Sequence, residues 1–104
     1  MLLKDTTIDI QETLNSRIQE VDFDNIPFGR VFSDHMFTMD YYDGAWHDPK
    51  IVEFKNLSMH PAASVIHYGQ SIFEGMKAFK NHEGEIFVFR PDMNAARFNV
   101  SAER

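Results

Sequence analysis

The dipeptide Asp43-Gly44 places the strongest short-range constraint on the fold, because it separates two runs that favour strands. Residues 31–42 are rich in Phe, Met and Tyr and contain neither Gly nor Pro. An Asp-Gly pair between such runs predicts a two-residue hairpin turn with positive φ at its centre. Residues 45–54 should therefore return antiparallel to the first run. Pro49 then belongs at a sheet edge or in a bulge, because proline has no N–H to donate to the ladder.

A second hairpin and a helix are predicted nearer the C-terminus. Residues 76–80 and 85–90 favour strands, and the connecting residues 81–84 have the composition of a hairpin turn. Pro91 stands where a first helical residue is favoured. We expect a helix from there to the end of the chain. The last residues, 101–104, include no Gly or Asn cap, which favours an incomplete chain over a natural terminus.

The N-terminal quarter predicts one more helix. Apolar residues recur at helical spacing after Asp9, which together with Glu12 resembles a capping box. We therefore expect a surface helix over residues 9–19. The segment 22–29 contains both Pro and Gly and is predicted to form a loop.

Residues 60–79 are poor material for a plain strand or helix, because Pro and Gly interrupt their short apolar runs. We expect a short strand at 62–67 and a single helical turn at 71–74 that ends at the next glycine. Such a broken backbone favours the wall of a site that presents Tyr68 and Phe73 from one place. Ordinary core aromatics are the alternative interpretation.

These elements predict an α+β fold, with an antiparallel meander of four or five strands flanked by a helix at each end. A chain of 104 residues has the usual size of one domain, and its hydrophobic fraction of 43% supplies one core at most.

Charge and composition disfavour several classes of function. The net charge is −6 and the basic residues do not cluster, so a nucleic-acid surface or an anionic membrane is a poor partner. The chain has no cysteine, which removes disulfides and thiolate metal sites and suits a cytoplasmic location. Five histidines occur without a metal-binding spacing, so no metal site is predicted.

Arg97 is the charged residue whose position points most clearly to an anion. It shares a face of the predicted C-terminal helix with Met93 and Val100, so its stem is expected to be directed inward. An inward guanidinium needs an anionic partner, and its fork suits a carboxylate or a phosphate. Spacing leaves open a salt bridge to Asp or Glu and a contact with a ligand phosphate.

Three other charged or titratable residues are assigned structural roles. Asp34 and His35 are neighbours on a predicted strand, and neighbours on a strand point to opposite faces, so one site cannot readily use both. Lys77 adjoins an apolar run, as a lysine that forms a Schiff base can. Lys80 follows closely, however, and we assign Lys77 to the structure or to the solvent.

Four motifs occur in order along the chain. They are Phe28-Gly-Arg-Val-Phe-Ser-Asp-His-Met36, His60-Pro-Ala-Ala-Ser-Val-Ile-His-Tyr68, Phe73-Glu-Gly-Met-Lys-Ala-Phe79 and Phe89-Arg-Pro-Asp-Met-Asn-Ala-Ala-Arg97, the last followed by Ser101-Ala102. Together they resemble the motifs of branched-chain amino acid aminotransferases, which are fold-type IV enzymes that depend on pyridoxal 5'-phosphate. The similarity runs from about Pro27 to Arg104 and keeps the family's order and separations.

The resemblance implies a two-domain, homodimeric enzyme that exchanges an amino group between leucine, isoleucine or valine and 2-oxoglutarate. Residues 27–104 would be part of its small domain, residues 1–26 an N-terminal extension with a helix, and the large domain would be absent. By the same resemblance Arg97 would bind the cofactor phosphate, while Phe28, Tyr68 and Phe73 would line the pocket for the branched side chain.

The family's Schiff-base lysine has no counterpart here, because it lies in the other domain, beyond residue 104. We therefore assign no catalytic residue to the chain and expect it to be inactive alone. The alternatives are a stand-alone non-catalytic module and a related fold-type IV enzyme, namely a D-amino acid aminotransferase or an aminodeoxychorismate lyase.

Overall fold

A computed structural model describes residues 7–103 of the chain as two small sheets, two α-helices and one 3-10 turn. The chain divides into two compact units, Met1–Leu57 and Ser58–Arg104. In chain order the elements are β1 (Asp9–Ile10), the 3-10 turn (Ile18–Glu20), β2 (His35–Tyr42), β3 (Ala45–Glu53), α1 (Ser64–Tyr68), β4 (Ala78–Lys80), β5 (Ile86–Val88) and α2 (Pro91–Ser101).

The predicted hairpin at Asp43-Gly44 is confirmed. Strands β2 and β3 pair antiparallel on either side of the dipeptide. Asp43 has φ 50° and Gly44 has φ 75°, the two positive values that a type I′ turn requires. Across the strands the rings of Tyr41 and Trp46 meet edge to face with centroids 5.1 Å apart. This pair adds aromatic contact close to the turn.

Pro49 lies in a bulge, one of the two places predicted for it. The register of β2 against β3 shifts between Thr38 and Asp40. On β3 the shift falls at Asp48 and Pro49, and Asp48 has a positive φ of 53°. The irregular pairing accommodates the proline, because Pro49 has no residue directly opposite it on β2.

The helix predicted over residues 9–19 is wrong. Strand β1 begins the segment and pairs in parallel with β3, and the N–H of Gln11 donates to the carbonyl of Ile51 (2.9 Å). Within the described part of this segment, helical backbone is confined to the 3-10 turn. A strand distant in sequence has taken the backbone groups that helical bonding needs, so tertiary pairing overrides the local spacing.

Asp34 and His35 have the structural roles predicted for them. The imidazole Nε2 of His35 accepts the N–H of Thr13 (3.0 Å). The carboxylate of Asp34 accepts the hydroxyl of Ser16 (2.6 Å) and the N–H of Arg17 (2.9 Å). These bonds hold the pKa of Asp34 below its ordinary value, and the bond from Ser16 has the largest effect. The two residues therefore fasten the N-terminal segment to the start of β2.

In the second unit, the strand predicted at 62–67 is wrong, because α1 occupies this region. The backbone turns at His60, whose carbonyl accepts the N–H of Ala63 (2.9 Å), and helix α1 follows directly. Gly69 ends the helix in the left-handed conformation with φ 61°. The helical turn predicted at 71–74 is also wrong, since these residues form a loop.

The remaining elements of the second unit follow the sequence more closely. Strands β4 and β5 pair antiparallel, as predicted, although each is shorter than the run that suggested it. Gly84 has φ 83° in the turn between them, where Asn81 accepts the N–H of Glu85 (2.9 Å). Helix α2 begins at Pro91, as expected. The helix ends at Ser101, so its expected continuation through Ala102 and Glu103 is wrong, and Arg104 lies outside the described residues.

The fold is α+β, as predicted, but the expected single meander is wrong. The strands form a three-stranded sheet of order β1-β3-β2 and a separate β4-β5 pair, and β1 is parallel to its neighbour. A continuous meander would need one antiparallel ladder throughout. Here a helix and loops separate the two hairpins, and a parallel partner joins the first of them.

The predicted core is not formed, because none of the described side chains is buried. The chain exposes 10079 Å² of surface. Two separate compact proteins of half its mass would expose only about 7,300 Å² together, by the usual scaling of surface with mass. Much of the apolar surface that normally forms a core therefore faces solvent in this chain.

Candidate functional site

Arg97 and Glu74 form an ion pair between helix α2 and the loop that precedes β4. The Nε of Arg97 donates to Oε2 of Glu74 (2.8 Å), and its Nη2 donates to Oε1 of the same carboxylate. The side chain of Glu74 is 10% exposed and that of Arg97 is 68% exposed. Of the two anions that spacing left open, the carboxylate is thus bound. The inward direction predicted for Arg97 is wrong, since most of its side chain faces solvent.

Asn94 completes the arrangement, which we call the Glu74 cluster (Glu74, Asn94 and Arg97). Its Nδ2 donates to Oε1 of Glu74 (3.0 Å) and to the carbonyl of Gly75 (2.8 Å). Asn94 precedes Arg97 by three residues on α2, so both side chains lie on one face of the helix. That spacing indicates from the sequence that the two side chains can share a partner. It does not indicate that the partner is Glu74, because 23 residues separate Glu74 from Arg97.

The cluster fixes the charge of both members of the pair. Hydrogen bonds from Arg97, and then from Asn94, lower the pKa of Glu74 from 4.5 to about 2. The carboxylate in turn raises the pKa of the Arg97 guanidinium above its ordinary value. Near neutral pH both groups are therefore charged, and the guanidinium carries its full set of N–H donors.

We expect the pair to resist acid until well below the ordinary range of a glutamate. A lowered pKa contributes stability that is fully present above pH 4.5 and is lost as the pH falls from there towards 2. Carboxyl-carbon NMR of the 104-residue chain should give a Glu74 titration midpoint near 2. The Arg97→Gln variant should move that midpoint up towards 4.5, and a midpoint near 4.5 in both proteins would contradict the pairing.

An open cavity of about 490 Å³ adjoins the Glu74 cluster. Arg97 and Phe73 both line it, so the structure brings together two of the four residues singled out from the sequence. The Phe73 ring is 90% exposed and available for contact. The remaining lining residues are Ser71, Ile72, Glu74, Gly75 and Ser101.

The other two residues singled out from the sequence do not line this cavity. Tyr68 is the last residue of α1, in the same unit, and is 80% exposed. Phe28 belongs to the first unit, where it lies in a turn and is fully exposed. Aromatic character identified both as candidates. Within the second unit, Phe73 lines the cavity beside Arg97 and Tyr68 does not.

Lys77 is exposed beside a neighbouring cavity that Gly75 also lines, which agrees with the second of the two roles predicted for it, structural or solvent-facing. Across residues 7–103, no three His, Asp or Glu side chains are grouped closely enough to hold a metal ion. In the same range no helix has the length and apolar character needed to cross a membrane.

The chain is similar in sequence to several curated aminotransferases. Over 94 residues, 89% of its length, the chain is 46% identical to branched-chain-amino-acid aminotransferase 2 of Bacillus subtilis (strain 168), of which it covers 26%. It is 45% identical over 87 residues to transaminase 1 of the same strain, covering 24% of that protein. The cytosolic enzyme of Mus musculus is 45% identical over 83% of the chain, which covers 22% of it.

No family model matches the chain. The chain spans about a quarter of the length of the curated relatives it matches. The matches extend over most of the residues of the chain. At 45–46% identity over more than four fifths of its length, the chain is a homologue of the branched-chain-amino-acid aminotransferases, as the order and spacing of its motifs predicted.

Proposed function

We propose that the chain forms part of a pyridoxal-phosphate-dependent aminotransferase that exchanges an amino group between leucine, isoleucine or valine and 2-oxoglutarate. The names of its relatives support the reaction class. The structural observation that carries the proposal is the cavity shared by Arg97 and Phe73. It places a cation suited to a phosphate beside an aromatic surface suited to an aliphatic side chain.

The residues present fit a cofactor phosphate at Arg97. Glu74 engages the Nε and Nη2 donors, and in the part of the chain that the structure describes no acceptor is bonded to Nη1. The Arg97 side chain is also largely exposed, and it lines the cavity. A planar fork with donors to spare matches the geometry of a phosphate. Bound pyridoxal phosphate supplies the electron sink for transamination, and the role of Arg97 is to hold it in place.

Phe73 is proposed to contact the branched side chain of the substrate. An apolar wall selects leucine over smaller amino acids through contact area, and each buried methylene contributes about 0.8 kcal/mol. Tyr68 is assigned to the same pocket by the resemblance, and so is Phe28. For all three residues the assignment remains a prediction.

The rest of the proposal also follows from family resemblance. Residues 27–104 would contribute to the small domain of a fold-type IV enzyme, and residues 1–26 to an extension before it. The Schiff-base lysine would lie in the other domain of the enzyme, outside these 104 residues. The complete enzyme would be a homodimer. A cytoplasmic location is supported by the word cytosolic in the name of the mouse relative.

The test is an amino-acid assay of the complete enzyme that contains this sequence. We expect L-leucine, L-isoleucine and L-valine to form glutamate from 2-oxoglutarate. Turnover of D-alanine in their place would identify a D-amino acid aminotransferase. Conversion of aminodeoxychorismate would identify a lyase, and no turnover at all would favour a non-catalytic module.

The Phe73→Ala variant of the same enzyme should lose part of its selectivity. Removing the ring takes away apolar contact with a leucine side chain but little contact with an alanine side chain. We expect the ratio of kcat/KM for leucine to that for L-alanine to fall about tenfold. Phe87→Ala, on strand β5 in the same unit and outside the cavity lining, is the matched control. Equal leucine-to-alanine ratios of kcat/KM in both variants would contradict the proposal that Phe73 contacts the substrate side chain.

A further inference from the structure

The contacts of Glu74 divide the guanidinium of Arg97 into a bound edge and a free edge. The bound edge consists of Nε and Nη2, which both reach the Glu74 carboxylate. Nη1 and the second hydrogen of Nη2 form the other edge. Because two donors are fixed by one rigid carboxylate, the direction of the free edge is set by where Glu74 lies.

Glu74 is itself held firmly. Its Oε1 accepts the amide of Asn94 (3.0 Å) and the N–H of Gly75 (3.1 Å), in addition to the bond from Arg97. Asn94 also binds the carbonyl of Gly75 (2.8 Å), so the loop that carries Phe73 is fastened to α2 at the same point. The carboxylate is only 10% exposed, whereas its arginine partner is mostly in solvent.

We propose that Glu74, held by Asn94, is a positioning residue that aims the Nη1–Nη2 edge of Arg97 at the phosphate group of the cofactor. The inference rests on the proposed role of Arg97 and adds to it the residue that orients the guanidinium. An unpaired arginine populates many rotamers and loses that freedom when a phosphate binds. The fixed pair has already lost it before the ligand arrives.

The charge of Glu74 has an opposing effect, because a carboxylate repels a phosphate. That repulsion is weak here, since Arg97 neutralises Glu74 directly and most of the Arg97 side chain faces solvent of high dielectric constant. Orientation is therefore the larger effect. The two effects predict opposite changes in affinity when the carboxylate is neutralised, so one experiment separates them.

The experiment compares pyridoxal phosphate with unphosphorylated pyridoxal as ligands of the complete apoenzyme. We expect Glu74→Gln, which keeps the shape but loses one acceptor, to weaken binding of pyridoxal phosphate about tenfold while changing that of pyridoxal less than about twofold. A purely structural role would weaken both ligands alike. Asn94→Ala, which keeps the ion pair but frees the carboxylate, should shift the same ratio by about threefold. If Glu74→Gln does not fold, the ratio measured for Asn94→Ala tests the positioning role instead.

Glu85→Gln is the matched control, because Glu85 pairs with Asn81 (2.8 Å) in the same unit without contacting an arginine. Its ratio of affinities should equal that of the unmodified enzyme. Equal weakening of both ligands by Glu74→Gln, or tighter binding of pyridoxal phosphate, overturns the positioning role. If Arg97→Ala removes the preference for the phosphorylated ligand and Glu74→Gln does not, only this inference fails. If Arg97→Ala leaves the preference intact, the proposed phosphate site fails as well.

Discussion

The Arg97→Ala variant of the complete enzyme is expected to bind pyridoxal phosphate roughly 100-fold more weakly than the unmodified protein, the effect of losing charge-assisted hydrogen bonds to a phosphate. The change removes every donor on the free edge of the guanidinium. It should affect the fold far less, because the Arg97 side chain is largely exposed. Titration of the apoenzyme with the cofactor, followed by absorbance, measures the affinity directly.

Two further variants sharpen this result. Arg97→Lys keeps the positive charge but loses the planar fork. Its affinity for pyridoxal phosphate should therefore lie between those of the Arg97→Ala variant and the unmodified enzyme. Lys77→Ala removes an exposed cation that lines a neighbouring cavity, and the cofactor affinity of this control should be unchanged. Equal affinities in the Arg97→Ala and unmodified enzymes would exclude Arg97 as the phosphate ligand.

Local chemistry explains which parts of the fold could be predicted. The hairpin follows from Asp43-Gly44 because its two residues adopt positive φ without help from distant parts of the chain. The start of α2 at Pro91 follows from the fixed φ of proline. In both cases the deciding interactions lie within a few residues of the signal.

The elements that could not be predicted depend on partners far along the chain. The spacing at 9–19 is helical, yet β3 supplies a parallel partner about 40 residues away and the segment begins as a strand. Residues 62–67 have the apolar character of a strand, but no neighbouring strand pairs with them in the described structure, and the turn at His60 leads into a helix. Pairing between distant segments cannot be inferred from apolar spacing alone.

The site shows the same limit. Sequence reasoning predicted that Arg97 would need an anion, because an arginine on an apolar helical face must have a partner. It could not name Glu74, since the loop that carries this residue has no periodic pattern to place it. Asn94 was identifiable only as a neighbour on the helix. Spacing left a carboxylate and a phosphate open as partners, and the resemblance made the phosphate specific to the cofactor. The contacts with Glu74 leave one edge of the guanidinium for it.

Surface exposure leads to the second large effect, which concerns the 104-residue chain by itself. Thirty large apolar side chains of the described residues are exposed. Folded monomers rarely expose contiguous apolar patches of more than a few hundred Å² unless a partner surface covers them. We therefore expect the isolated chain to bind the dye ANS strongly while keeping its two hairpins, and the complete enzyme to bind the dye weakly under the same conditions.

The isolated chain should also form no glutamate from leucine and 2-oxoglutarate, even with pyridoxal phosphate added. Its Arg97 and Phe73 can orient a cofactor and contact a side chain, but binding alone lowers no barrier unless a group also moves the proton between carbon atoms. The family resemblance implies that this group would be a lysine outside these residues. We do not expect Lys77 to replace it, because Lys77 lines a different cavity from Arg97. The assay compares equal molar amounts of the chain and the complete enzyme at saturating cofactor. The contrary result would be leucine-dependent glutamate formation by the purified chain that Lys77→Ala abolishes. It would place the catalytic lysine within these residues and contradict the proposal that the lysine lies outside them.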